Sequence, residues 1–391
     1  MAAIAPGAWL GLLGGGQLGR MFCMAAQSLG YRVVVLDPGS EGPAASVADR
    51  HLAADYLDAG ALAELARIAA AATTEFENVP AAALDFLARS ARVTPSASSV
   101  AIAQDRISEK TFLAGHGFAV APHAVLRAAP DIDAIDRGRL LPGIVKSARF
   151  GYDGKGQVSV ATPDDVREAW RAMKSQACVL EKRVDLACEV SVVVARNERG
   201  ETATWPVSEN RHRDGILDVS IVPARVEASL AERARAIATG VAQALDYRGV
   251  LCVEMFVTRD GALLVNEIAP RPHNSGHFSI DACITSQFEQ QARVLADLPL
   301  GDTRQHTPAV MVNLLGDLWF ERGSRREPAW SEVLRHPSAK LHLYGKAEPR
   351  PARKMGHVTC LGQTLAEALA TAREVKRLLG IPGADEIQEA P

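Results

Sequence analysis

The sequence predicts an α/β protein of two or three domains, on three observations. Its 391 residues are too many for one ordinary core. Residues 8 to 105 alternate short apolar runs with helix-like stretches, the rhythm of strand, helix and strand in a parallel sheet. Beyond residue 105 the texture changes to paired apolar strands joined by turn signals.

Taken in order, the first element is an apolar run ending in "GLLGGGQLGRM", where Gly14, Gly16 and Gly19 have the spacing G-x-G-x-x-G ahead of a helix over Leu18 to Leu29. Tyr31 to Leu36 reads as a second buried strand, and Asp37 follows it at the place where dinucleotide sites read a ribose hydroxyl. The same turn arises wherever a first strand feeds a first helix close to an anionic ligand, so residues 1 to 40 leave both a dinucleotide and another phosphate ligand open. An alanine-rich helix is predicted over Ala59 to Ala72, with Leu62, Leu65 and Ile68 as its apolar stripe, and a short element follows at Thr73 to Phe76.

From Gln104 a polar helix runs to Gly117, a proline-marked turn falls near Pro122, and an apolar strand ends in "LPGIVK". Further strands are expected at Cys178 to Val184, in a hairpin from Glu189 to Val207, and in a strand pair from Val250 to Ile268, with a helix over Ser229 to Leu245. After Leu300 come strand-like "AVMVNLLGD" and "AKLHLYGK" and a closing helix, with a Thr364/Glu367 capping box and Gly380 and Pro382 at its end. No internal repeat is visible.

Composition narrows the function. With 43 Lys plus Arg against 46 Asp plus Glu, interleaved along the chain, neither a nucleic-acid surface nor a basic membrane face is expected, while a small anionic substrate fits. The six cysteines form no C-x-x-C pair, which points to a reducing compartment and no zinc site. No basic region precedes the apolar N-terminus and no run reaches membrane-spanning length, so a cytoplasmic location is expected.

The chemistry concentrates in three stretches. In "VLCVEMFVTRDGALLVNEIAPR", Asp260-Gly261 is a strong signal for a two-residue type I′ turn. If Arg259 faces Ala262, then Glu254 faces Glu267. Two carboxylates so placed repel unless a cation lies between them, and paired carboxylates suit Mg²⁺, to which Asn266 can add an oxygen. The competing reading is a surface hairpin with two solvated glutamates; apolar flanks and distance from the turn favour the metal. In "IVKSARFGYDGKGQ", Lys146 ends a buried strand ahead of Gly151, Gly154 and Gly156, a pattern for phosphate oxygens, although a hairpin tip is also glycine-rich and no P-loop is present. The acid of "VLEKRV" draws weight only from its company.

In order, these pieces resemble the ATP-grasp superfamily and, within it, the 5-(carboxyamino)imidazole ribonucleotide synthase family of purine biosynthesis. The resemblance rests on "GGGQLGRM", "TEFENV", "GYDGKGQ", "EKRV", "HRDGIL", "NEIAPRPHNSGH", "LHLYGK" and "RPARKMGH". It implies a Rossmann-like substrate-binding domain (1–104), an ATP-grasp domain (105–300) and a small α+β domain completing the substrate site (301–391). It also implies an ADP-forming carbon–nitrogen ligase that uses ATP, Mg²⁺ and bicarbonate to carboxylate 5-aminoimidazole ribonucleotide. Carried over by position, ATP is held by Arg106, Lys146, Gly151, Tyr152, Asp153, Gly154, Lys155, Gly156, Gln157, Glu181, Lys182, Arg183, Val184, Glu189, His212, Asn266 and Glu267, and the metal by Glu254 and Glu267. The ribonucleotide falls to Gln17, Leu18, Glu75, Asn78, Tyr152, Lys155, Arg271, Asn274, Ser275, Lys346, Arg353 and Lys354. Asp153 would handle the proton, with Lys354 and His273 meeting negative charge. A homodimer and a hand-off of product to a mutase are implied as well. Phe150 and Ala352 stand where the family usually has glycine. The rivals are a formate-dependent glycinamide ribonucleotide transformylase on a similar scaffold, a nicotinamide dehydrogenase, which leaves the carboxylate hairpin unexplained, and a catalytically dead nucleotide sensor, against which Lys146, Asp153, Glu254 and Glu267 all argue.

Overall fold

A computed structural model describes residues 2–149, 151, 156–321 and 323–387. The N-terminal strands β1 (Trp9–Leu13), β2 (Arg32–Asp37), β3 (Arg50–Ala53), β4 (Ala71–Thr74) and β5 (Arg92–Val93) form one parallel sheet in the order β3-β2-β1-β4-β5. Because alternate side chains of a strand point to opposite faces, Leu10, Leu12, Val33 and Val35 pack with Phe22 and Cys23, while Leu13, Val34 and Leu36 pack with Leu62, Leu65 and Leu84 on the other side. The predicted helix from Ala59 stops at Ile68, short of Ala72, because Ala71 to Thr74 pair with β1 and are fully buried. Alanine's helix propensity is overridden there by a central place in the sheet.

A second, antiparallel sheet contains β6 (His123–Leu126), β7 (Gly143–Ser147), β8 (Gln157–Val160) and β9 (Cys178–Lys182) in the order β6-β9-β7-β8. The third and largest is built from β10 (Leu186–Arg196), β11 (Thr202–Thr204), β12 (Ser208–Arg213), β13 (Ile216–Val222), β14 (Gly249–Thr258), β15 (Leu263–Ala269) and β16 (Ala309–Leu315). The small pair β17 (Phe320–Glu321) and β18 (Ser324–Arg325) stands apart from it, and β19 (Ala339–Leu343) and β20 (Lys354–Leu361) complete its far edge. Strand β13 pairs with β16, so strands on either side of residue 300 share one continuous sheet. The helix Gln287–Leu295 leaves this sheet and returns to the first one, where Ala292 and Leu295 join the cluster of Phe22 and Cys23. Among the described residues, no helix is long and apolar enough to cross a membrane.

The β14–β15 hairpin corrects the expected turn. Thr258 N–H donates to Ala262 O at 3.0 Å and Gly261 takes φ +78°, while Asp260 keeps a negative φ; the loop therefore has three residues rather than a type I′ pair. Near the turn Met255 faces Val265, one residue out of the expected register, and a bulge at Asn266 then restores it, so that Glu254 does face Glu267. An Asp-Gly pair with positive φ at both residues does close a two-residue hairpin, at Asp214 and Gly215 between β12 and β13.

Candidate active site

The N-terminal wall of the site is the turn after β1. Gly15 N–H donates to Asp37 Oδ2 at 2.8 Å, and Glu75 accepts from Gly16 N–H and, at 2.6 Å, from Gly19 N–H. A Cβ on Gly14 would lie 2.3 Å from Glu75 Cγ, so the glycine serves the approach of that carboxylate. The N–H groups that would cradle a pyrophosphate are thus occupied by the protein's own acids. Asp37, whose Oδ2 also accepts from Tyr56 Oη at 2.7 Å, braces the turn instead of reading a ribose.

Burial pushes the Glu75 carboxyl from 4.5 up to about 7, against the opposing pull of the Gly19 and Gly16 N–H groups. An acid whose folded value is raised contributes stability that is complete below its unfolded value and is lost as pH rises through the folded one. The ligand-free protein should therefore lose urea resistance between pH 5 and pH 7.5, and Glu75→Gln should flatten that slope. Equal slopes in the two proteins would contradict this assignment.

Opposite this wall stand β7 and β9. Their antiparallel pairing brings Lys146 Nζ to 3.1 Å from Glu181 Oε2, and Asn266 of β15 places its Oδ1 3.5 Å from the same nitrogen. Burial opposes charge on Glu181, but Lys146 and Lys110 hold its carboxyl below the usual range. The helix Arg106–Gly115 grips the bulge in β15 through one face: Arg106 Nη1 donates to Glu267 Oε2 at 3.0 Å, Glu109 Oε1 accepts from Ile268 N–H at 2.6 Å, and Lys110 Nζ donates to Asn266 O at 2.8 Å. Lys110 is also 3.4 Å from Glu181. Glu109 and Lys110 are absent from the sequence reading, although their spacing of three and four residues from Arg106 places all three on one helix face.

Glu254 carries its own counter-ion. His273 Nε2 lies 3.0 Å from Glu254 Oε1; burial works against the imidazolium, but Cys252 and Glu254 beside it raise the imidazole above its usual value. Burial likewise opposes ionisation of Glu254, yet His273 holds its carboxyl below the usual range. The facing glutamates therefore do not confront each other bare: one meets His273 and the other Arg106. His212 Nδ1 stands 2.7 Å from Glu189 Oε2, and Arg271 forks onto Glu77, a partner the sequence reading lacks.

These groups open onto a single cleft of about 1290 Å³. Gln17 and Leu18 line it from the helix after β1, Glu75 and Asn78 from the loop after β4, and Lys346, Arg353 and Lys354 from the β19–β20 connection and the start of β20. Between them lie Arg106, Lys146, Gly151, Gln157, Glu181, Lys182, Arg183, Val184, Glu189, His212, Glu254, Asn266, Glu267, Arg271, His273 and Asn274. Both polar atoms of the Asn274 amide are buried and have no hydrogen-bond partner among the described residues, as befits a group facing a polar ligand. Two expected residues do not line the cleft: Gly156, and Ser275, whose fully buried hydroxyl sits 2.8 Å from His273 Nδ1 and 2.7 Å from Ser191 Oγ and so braces the imidazole from below. Tyr152, Asp153, Gly154 and Lys155, with Phe150, lie outside the described residues.

Beside Arg353 and Lys354, Ala352 takes φ +63°, with its N–H donating to Asp317 Oδ2 at 2.8 Å. A left-handed backbone costs an alanine about 1–2 kcal/mol, partly offset by the smaller entropy that alanine loses on folding. Ala352→Gly should stabilise the protein by about 0.5–1 kcal/mol, read as a higher denaturation midpoint. A lower midpoint would show that the turn relaxes around the methyl group.

Comparison with known proteins follows the same three parts. The chain matches the ribonucleotide synthetase preATP-grasp domain over residues 8–104, the ATP-grasp domain over 111–288 and the phosphoribosylaminoimidazole carboxylase C-terminal domain over 309–371. Fold and site thus define an ATP-grasp ligase. The N5-carboxyaminoimidazole ribonucleotide synthase of Brucella melitensis is 46% identical over 91% of this chain and 97% of its own. A solved N5-carboxyaminoimidazole ribonucleotide synthetase in complex with ADP superposes with a TM-score of 0.91 at 41% identity, covering 99% of this chain and 100% of that one. The Aspergillus clavatus enzyme in complex with ADP and 5-aminoimidazole ribonucleotide superposes at 0.87 with 30% identity, over 96% and 99% of the two chains. The chain belongs to the N5-carboxyaminoimidazole ribonucleotide synthase family, ADP-forming ligases that carboxylate aminoimidazole ribonucleotide with ATP and bicarbonate in purine biosynthesis.

Proposed function

We propose that this cleft runs the family's reaction in two steps, with the nucleotide and bicarbonate on the Lys146 side and the ribonucleotide on the Glu75 side. The observation that carries this reading is that Lys146, the Glu254/Glu267 pair, the Glu75 turn and Lys354 all open onto the same cleft. In the first step a bicarbonate oxygen attacks the γ-phosphorus of ATP, the bond to the bridging oxygen of ADP breaks, and carboxyphosphate forms. Lys146 and Arg106 meet the phosphate charge, and Glu181 to Val184, Glu189 and His212 hold the rest of the nucleotide. Two facing carboxylates would suit Mg²⁺, which would complete its shell with water and substrate phosphates. Glu254 and Glu267 would hold the ion, which would supply positive charge to the phosphoryl oxygens.

In the second step the exocyclic amine bonds to the carboxyl carbon, the carbon–oxygen bond to phosphate breaks, inorganic phosphate departs, and the amine gives up a proton. Asp153, outside the described residues, is assigned to that proton. Lys354 and His273 face the developing carboxylate, and the open amide of Asn274 binds it. Glu75, Asn78, Gln17 and Leu18 position the ribonucleotide, with Lys346 and Arg353 on its phosphate. Carboxyphosphate falls apart in water, so the loop from Gly151 to Gln157 is assigned as the cover. We assign the three parts 1–104, 105–300 and 301–391 to substrate binding, ATP grasp and completion of the substrate site. A cytoplasmic homodimer that passes its product to a mutase completes the reading. The test is product formation by purified protein: aminoimidazole ribonucleotide should be carboxylated only with ATP and bicarbonate together. Turnover of glycinamide ribonucleotide with formate would favour the transformylase instead.

A further inference from the structure

The helix Gln287–Leu295 contributes no residue to the cleft, yet it is bonded to both of its ends. Gln287 is fully buried. Its Oε1 accepts from His273 N–H at 2.9 Å, and its Nε2 donates to His273 O at 2.8 Å and to His277 Nδ1 at 3.0 Å. Reversing this amide would set donor against donor and acceptor against acceptor, so the network fixes its orientation. One turn later, about 6 Å along the axis, Gln291 is also buried, and its Nε2 donates to Thr73 Oγ1 at 3.1 Å and to Thr74 O at 3.3 Å. Thr74 O belongs to the peptide that leads into Glu75. One helix face thus holds the backbone of His273, beside Glu254, and the backbone at Glu75, beside the glycine turn.

From this geometry we infer that Gln287 and Gln291 are positioning residues that set the place of the ribonucleotide half-site against the carboxyphosphate half-site. The helix is tied down on its other sides as well: Phe288 packs with Leu18, Met21 and Tyr344, and Ala292 and Leu295 with Phe22. Displacement of either end shifts the amine relative to the carboxyl carbon, and transfer is the step most sensitive to such a shift. When transfer fails, carboxyphosphate decomposes and ATP is hydrolysed without product. The inference rests on the two-step reading above and concerns which residues couple the steps.

The test compares Gln291→Met with Gln290→Met. Gln290 is on the same helix and equally buried, but its amide bonds Gly301 N–H at 2.8 Å and Gly301 O at 3.2 Å, away from both half-sites. The readouts are ADP formed per carboxylated product, KM for the ribonucleotide and thermal midpoint. Wild type should give a ratio near one. Gln291→Met should keep bicarbonate-dependent ADP formation while KM and the ratio rise on the order of tenfold. Gln290→Met should lower the midpoint comparably and keep the ratio near one. Gln287→Glu, which retains the acceptor for His273 N–H and removes both donors, should raise the ratio as well. Equal ratios in the two methionine variants, or a Gln291→Met enzyme with wild-type ratio and KM, would overturn the inference. Absence of product from wild type would instead strike the two-step reading.

Discussion

Lys146→Ala is expected to abolish ADP formation, with or without the ribonucleotide, by a factor on the order of a thousand or more. Lys146 is the buried cation at the end of β7 that lines the cleft between Glu181 and Asn266. A phosphoryl transfer needs charge at that point, and alanine leaves none. The fold should survive, because Lys110 remains within 3.4 Å of Glu181 and the carboxylate keeps a partner. Lys146→Arg should rescue poorly, since a planar fork does not replace a point charge on a short path. Measured ATP affinity and ADP release should fall together while the denaturation midpoint stays close to wild type. An alanine variant that releases ADP normally would remove Lys146 from the phosphate site.

Lys354→Ala should separate the two steps. Nucleotide affinity and bicarbonate-dependent ADP release should persist, while carboxylated product falls by a factor of about 10²–10³, the usual loss when one preorganised charge is taken from a developing anion. Lys354 opens strand β20 and pairs with Leu315 of β16, so its position is set by the sheet rather than by a loop. Its backbone O accepts from Lys346 Nζ at 2.6 Å, a bond that the substitution leaves in place. Asp153→Asn should resemble this variant and not Lys146→Ala. If Lys354→Ala loses ADP release and product equally, Lys354 serves activation rather than transfer.

Much of this site was legible because local rules govern it. The "VVVL" run of β2 reads as a strand covered on both faces, and it is. The register of Glu254 against Glu267 was also reached, but by way of a turn that does not exist: a three-residue loop shifts the pairing by one and the bulge at Asn266 shifts it back. Bulges of this kind depend on distant partners, here Lys110 and Glu109 on a helix more than 150 residues earlier in the chain. The glycine turn was ambiguous for a similar reason, since its N–H groups meet Glu75, 59 residues away from Gly16, and sequence spacing does not announce that contact. Gln287 and Gln291 gave no signal at all. A buried glutamine at helical spacing looks like any other polar residue until the backbone it bonds comes into view. Ala352 was visible as standing where the resembled family usually has glycine, but only its φ of +63° shows that the departure falls on a left-handed position.

The most direct test of the central claim, that bicarbonate is activated as carboxyphosphate in this cleft, follows an oxygen atom. With ¹⁸O-labelled bicarbonate, the attacking oxygen becomes the bridge to phosphorus and stays with phosphate when the carbon–oxygen bond breaks. Mass analysis of the inorganic phosphate formed by the complete reaction should show one labelled oxygen for each product molecule. Phosphate that carries no label from bicarbonate, and takes its new oxygen from solvent water, would contradict the account.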